Sequence, residues 1–144
     1  MSCSRRSAIA FALALATPSC FAADWMQFGY DPAHSSHNTA ETILTAGNVG
    51  SIVALYSHAL PDLIDVAPVY LSNVQTGNGV KNLLFAVSRS GTAMALDAAD
   101  GSVVWSKSPG PASVVTSSPA IDPNRQYVYS TMPDGKIHKY AVAD

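Results

Sequence analysis

Ala95-Leu96-Asp97-Ala98-Ala99-Asp100-Gly101-Ser102-Val103-Val104-Trp105 is the stretch on which the fold turns. It opens on apolar residues, passes through two Asp and a Gly, and returns to a β-branched pair and a Trp. That order reads as strand, tight turn, strand. Working outward, apolar and β-branched runs of five to nine residues alternate with Gly-, Asp- and Pro-containing turns. Strands are expected at 52–57, 66–71, 82–88, 92–97, 102–107, 113–121, 126–131 and 136–142. After residue 23 no stretch keeps a helical period, apart from a short turn at Ala40 to Leu44. The expected class is all-β.

The strands repeat. With Gly91 set on Gly135, 44 residues on, Leu83–Val87 lies over Tyr127–Thr131. Ser90-Gly91 then lies over Asp134-Gly135, and Thr92–Asp97 over Lys136–Ala141. Upstream, Ala67-Pro68 matches Ser118-Pro119, with a polar insertion, Ser72 to Gly79, read as a hairpin. Leu55-Tyr56 precedes Pro68 much as Val104-Trp105 precedes Pro119, so Tyr56 and Trp105 take one position in successive units. Four short strands every 44 or so residues are what a β-propeller blade produces.

The opening stretch resembles the tryptophan-docking motif of the quinoprotein-type, or PQQ-like, β-propeller repeat: Ala, any residue, Asp, three residues, Gly, three residues, Trp. Ala95, Asp97, Gly101 and Trp105 fill its positions, while Asp100 and Ser102 stand where Thr and a basic residue are common. Asp24-Trp25-Met26-Gln27-Phe28-Gly29-Tyr30-Asp31 is similar to the start of mature proteins of that family. The resemblance implies structural roles. Ala95 lets a neighbouring blade approach, Asp97 accepts turn amides, Gly101 supplies a positive φ, and Trp105 covers the next blade's motif. The second copy departs from the motif, with Lys139 and Ala141 at the Ala and Asp positions, and the sequence stops at Asp144 where Gly would follow.

These observations predict a domain layout. Residues 1–22 are a signal peptide, 23–50 an N-terminal extended segment and 51–144 the repeats. Within the repeats, 66–108 form one full blade and 113–144 a partial one. About two blades make an incomplete propeller, because repeat units bury their faces only against neighbours. The expectation is a truncated frame or the N-terminal piece of a longer protein. Its open strand edges would be met by the remaining blades or by another protein chain.

The first 22 residues carry Arg5 and Arg6, then the apolar run Ala8 to Ala16, then Thr17-Pro18-Ser19 and the small residues Cys20 and Ala22. This is the order of a secretory signal, with cleavage after Ala22 and a periplasmic or secreted destination. The apolar run is nine residues, less than half of what a bilayer core needs, so no membrane span is expected once it is cleaved. Thr17 is a poor match to the aliphatic residue that a lipoprotein signal wants three positions before its Cys. Both cysteines, Cys3 and Cys20, leave with the signal, and with them any disulfide, thiol nucleophile or thiolate metal site. Loss of Arg5 and Arg6 leaves six basic residues against ten acidic ones, a net charge of −4. With no basic cluster to neutralise phosphates, nucleic-acid binding is not expected.

Residues able to carry chemistry are few. Asp62 and Asp65 form a carboxylate pair of the kind that binds cations, and a solvated loop is the preferred reading. His34 and His37 are spaced for metal sharing only on a helix, which Pro32 and the serines oppose. His58 and His138 are isolated, and His138 is expected to face water or the sheet surface; Asp31 and Asp122 read as turn residues. No Gly-x-Ser-x-Gly elbow or phosphate-binding loop is present. No catalytic or metal residue and no cofactor is assigned. The expected function is an exported, non-catalytic scaffold or binding module. The alternative implied by the resemblance is the N-terminal part of a PQQ-dependent alcohol or sugar dehydrogenase holding PQQ and Ca²⁺.

Overall fold

Seven short strands form two antiparallel meanders. The computed structural model describes residues 23–108, 110, 111 and 113–143; the expected signal peptide, 1–22, lies outside the described residues. The first sheet joins β1 (Val69–Thr76), β2 (Gly79–Val87), β3 (Ala93–Asp97) and β4 (Val103–Lys107) in chain order. The second joins β5 (Ala120–Ile121), β6 (Tyr127–Thr131) and β7 (Ile137–Ala141), also in order. The chain is therefore all-β.

Period-two alternation decides which face each strand buries. On β2, Leu83, Phe85 and Val87 point to one side, where with Val69, Leu71, Ala93, Ala95 and Trp105 they meet Ile121, Val128 and Met132 of the second unit in one apolar cluster. The opposite face of the first sheet carries Ala86, Met94 and Leu96, covered by Leu60 and Ile64. β3 is buried along its whole length because both of its faces are covered. Burial on this scale is worth roughly 25 cal/mol for each Å² of apolar surface removed from water.

The 44-residue spacing recurs in the main-chain bonds that close the turns. The Gly91 amide donates to Ser88 O and the Gly135 amide to Met132 O, both at 2.9 Å. The Ala98 amide donates to Asn82 O at 2.8 Å and the Val142 amide to Gln126 O at 2.9 Å. Both glycines adopt positive φ, +90° and +75°. At Gly91 a Cβ would also stand 2.1 Å from Pro133 of the second unit, so the turn is closed to any larger residue.

Three expectations need correction. Residues 52–57 are extended but form no strand, with Val53 73% and Leu55 89% exposed. Strand propensity is local, whereas a ladder needs a paired strand, and among the described residues no strand pairs with this segment. Residues 113–119 likewise form no ladder, and only Ala120 and Ile121 pair with β6. The Val115 amide bonds Arg89 O at the β2–β3 turn instead, which draws the segment across the first sheet. The N-terminal segment, 23–50, is a chain of tight turns rather than extended. Asp31 accepts from Ser35, Glu41 from Ile43 and Leu44, and Asn48 from Thr45, ahead of a 3₁₀ turn at Val49–Ser51. The insertion after Leu71 is a continuation of the β1–β2 hairpin past a register shift, turning at Gly77-Asn78.

Candidate functional site

Ala95 and Trp105 lie in the apolar cluster shared by the two sheets, while Asp97 and Gly101 shape the β3–β4 turn. Ala95 is fully buried opposite Trp105 in the β3–β4 ladder. Asp97 ends β3, and its carboxylate accepts the Ala99 amide at 3.0 Å and pairs with Lys81 across the sheet. The Lys81 ammonium first, and the Ala99 amide second, hold the Asp97 carboxyl below its usual range, while the same pairing raises Lys81. Gly101 has φ +79°, and its amide donates to Asp97 O at 2.8 Å. A Cβ there would lie 2.7 Å from His58 Cβ and 3.1 Å from Tyr56 Cε2.

Trp105 crosses the interface. Its ring sits between Phe85, at 6.0 Å, and Tyr140 of β7, at 5.8 Å. The indole Nε1 donates to Val142 O at 3.2 Å. The Tyr56 hydroxyl makes the corresponding bond on the first sheet, donating to Ala98 O at 2.9 Å. Ala98 and Val142 are 44 residues apart. Spacing from the prolines pairs Tyr56 with Trp105, but nothing local in the sequence names the acceptors.

A second network ties the N-terminal segment to both sheets. Asp24 accepts the amide and hydroxyl of Ser72 at 2.9 Å each and pairs with Arg125 at 3.1 Å. Arg125 also donates to Ser72 O. Trp25 and Tyr70 exchange main-chain bonds, and Met26 O receives the Ile121 amide, so residues 24–26 bridge β1 and β5. These partners are 48 and 53 residues apart in sequence, beyond any motif.

The candidate cation ligands are otherwise engaged. Asp62 Oδ2 accepts the Ser90 amide at 2.8 Å and Oδ1 the Leu63 amide at 2.7 Å, so this carboxylate holds the β2–β3 turn. The Ser90 hydroxyl and amide, then the Leu63 amide, lower its pKa to about 2. Asp65 faces Arg89 at 4.0 Å. His34 has φ +54° on an exposed loop and packs edge-on to Phe28, with His37 exposed beside it. His138 is half-buried: its Nε2 is 3.0 Å from Asp134 Oδ2 and its ring stacks near Tyr140. The ring lies on the sheet surface, one of its two expected settings, and follows the β7 alternation that points Tyr140 at Trp105. Asp122 accepts the Gln126 and Tyr127 amides, a turn role like that of Asp31.

Among the described residues no three His, Cys, Asp or Glu side chains stand close enough to share an ion. An open cleft of about 360 Å³ runs between the sheets beside Val74, Arg125 and Val142. Another, of about 610 Å³, lies over Lys81, Asn82 and Asp97. No helix of the described residues is long and apolar enough to cross a membrane. In comparisons with family models, with curated proteins and with solved structures, nothing matches this chain.

Proposed function

We propose that the two sheets are successive blades of a PQQ-like β-propeller repeat, one of four strands and one of three, carried on an exported chain that serves as a non-catalytic scaffold or binding module. One observation carries this reading: the side chains of Tyr56 and Trp105, which stand at similar distances before Pro68 and Pro119, donate to carbonyls 44 residues apart, Ala98 O and Val142 O. A repeat in sequence alone constrains composition. A repeat in side-chain-to-carbonyl bonds indicates that each unit docks on the next in the same way, as in stacked repeat architectures.

The non-catalytic part rests on what the titratable groups do. Asp97 and Asp62 hold turns, and Asp134 holds His138. The PQQ and Ca²⁺ of the dehydrogenase alternative find no fitting donor set among the described residues, since Asp62 is committed to Ser90 and Leu63, and Asp65 faces Arg89. Titration of the purified full chain with PQQ and Ca²⁺, followed by a dye-reduction assay with alcohols and sugars, is the test. No quinone binding and no dye reduction are expected; saturable binding with turnover would overturn the non-catalytic reading. Export is tested separately, by fractionating cells and sequencing the N-terminus of the extracytoplasmic protein, where a start at Ala23 is expected.

A further inference from the structure

We propose that residues 52–58 of one copy of this chain add as a fourth strand to β7 of a second copy, joining copies head to tail; this rests on the reading of the two sheets as successive blades. The first sheet is completed by β4, whereas β7 leaves one edge without a partner among the described residues. The segment Ile52-Val53-Ala54-Leu55-Tyr56-Ser57 has a strand composition, is extended, and is exposed through Ile52, Val53 and Leu55. Among the described residues, no main-chain group from Val53 to His58 bonds another main-chain group. The described residues thus include both an open edge and an unpaired strand-like segment, the two halves of a β-augmentation.

The first sheet supplies the register. There Ala93 opposes Lys107, Met94 opposes Ser106, Ala95 opposes Trp105 and Leu96 opposes Val103. Carried forward 44 residues, the β3 positions become Ile137, His138, Lys139 and Tyr140. Carried back so that Trp105 falls on Tyr56, the β4 positions become His58, Ser57, Tyr56 and Ala54, with Leu55 at the bulge. No like charges oppose one another in this pairing.

The pairing also gives Lys139 an environment. It stands where the first sheet has the fully buried Ala95, and it already lies 3.5 Å over the Tyr127 ring and 6.0 Å from Tyr129. Tyr56 of the first copy, opposite Lys139 of the second, adds a third aromatic face to the cation. Tyr56 keeps its bond to Ala98 O of its own chain, so the added strand arrives with its own first sheet docked behind it. The contact is heterologous, and such contacts close into rings or grow into filaments.

The test uses the full chain in a Cys3→Ser, Cys20→Ser background, so that only introduced thiols remain. Paired residues in an antiparallel ladder have Cα atoms about 4.5–5.5 Å apart, within disulfide reach. Ser57→Cys with His138→Cys is expected to give disulfide-linked dimers and higher species on a non-reducing gel, and a parent chain that is oligomeric by light scattering. The out-of-register pair Val53→Cys with His138→Cys is expected to cross-link several-fold less. Amide exchange at Ala98 and Val142 in the same samples reports whether both sheets are formed. A monomer with those amides protected and no in-register cross-link overturns the self-pairing and leaves the two-blade reading standing. A monomer with both amides unprotected overturns the two together. Equal cross-linking by both cysteine pairs overturns the register and the proposal with it.

Discussion

Trp105 and Val142 are bonded across the two sheets, with indole Nε1 3.2 Å from the Val142 carbonyl. The first sheet has the same arrangement, 44 residues earlier at the acceptor, where Tyr56 Oη is 2.9 Å from Ala98 O. The donor differs in kind and in cover: Trp105 is 8% exposed and Tyr56 40%. The strength of each link follows from that difference, because a buried donor has no water to return to when its partner is lost.

Trp105→Phe keeps an aromatic body but leaves Val142 O unpaired at a buried position, at a cost of about 1–3 kcal/mol. Trp105→Ala also opens a void beside Phe85 and Tyr140, for about 3–5 kcal/mol. Tyr56→Phe, at a more exposed site, costs no more than about 1 kcal/mol. Urea midpoints for the three variants check the order. A Tyr56→Phe loss equal to that of Trp105→Ala would contradict it.

Gly101 and Gly135 separate backbone strain from crowding. Both have positive φ, +79° and +75°. An added Cβ at Gly135 meets nothing within 4 Å, whereas at Gly101 it meets His58 Cβ at 2.7 Å. Either Ala substitution carries the left-handed cost of about 1–2 kcal/mol. Gly101→Ala adds displacement of the Tyr56–His58 segment, so it is the more destabilising of the two, and its Tyr56 environment changes by NMR. Equal losses in thermal unfolding would place His58 elsewhere.

Asp62 gives the fold an acid limit. The Ser90 hydroxyl and amide and the Leu63 amide favour its charged form and lower its pKa to about 2. In the unfolded chain the same carboxyl titrates near 4. A depressed folded pKa means that the stabilisation is fully present above about pH 4 and is lost as pH falls from there towards about 2. Asp31, Asp97, Asp100, Asp122 and Asp134 are lowered in the same direction by their turn amides, hydroxyls or cationic partners. Denaturant midpoints should fall steadily below about pH 4, and Asp62→Asn should flatten part of that fall. An unchanged acid profile in Asp62→Asn would show that the carboxylate does not hold the turn.

The legible parts of this fold were those with local signals. β2, β3, β4, β6 and β7 fall within a few residues of their expected bounds, because alternation and Gly-containing turns are written in neighbouring residues. The segment 52–57 carries the same composition without a ladder, since a strand is completed by something distant. The candidate site divides in the same way. Asp97 and Gly101 act within their own turn and are legible there. The Asp62–Ser90 and Asp24–Ser72 bonds join residues 28 and 48 positions apart, and no pattern in either stretch announces them.

The repeated docking of one sheet on the next is tested most directly at the Trp105 indole. By NMR on the full chain, its Nε1 proton should exchange slowly and show NOEs to Tyr140 and Val142, with the Tyr56 ring showing NOEs to Ala98 and Gly101. A rapidly exchanging Trp105 indole without NOEs to β7 or Val142 would contradict the account.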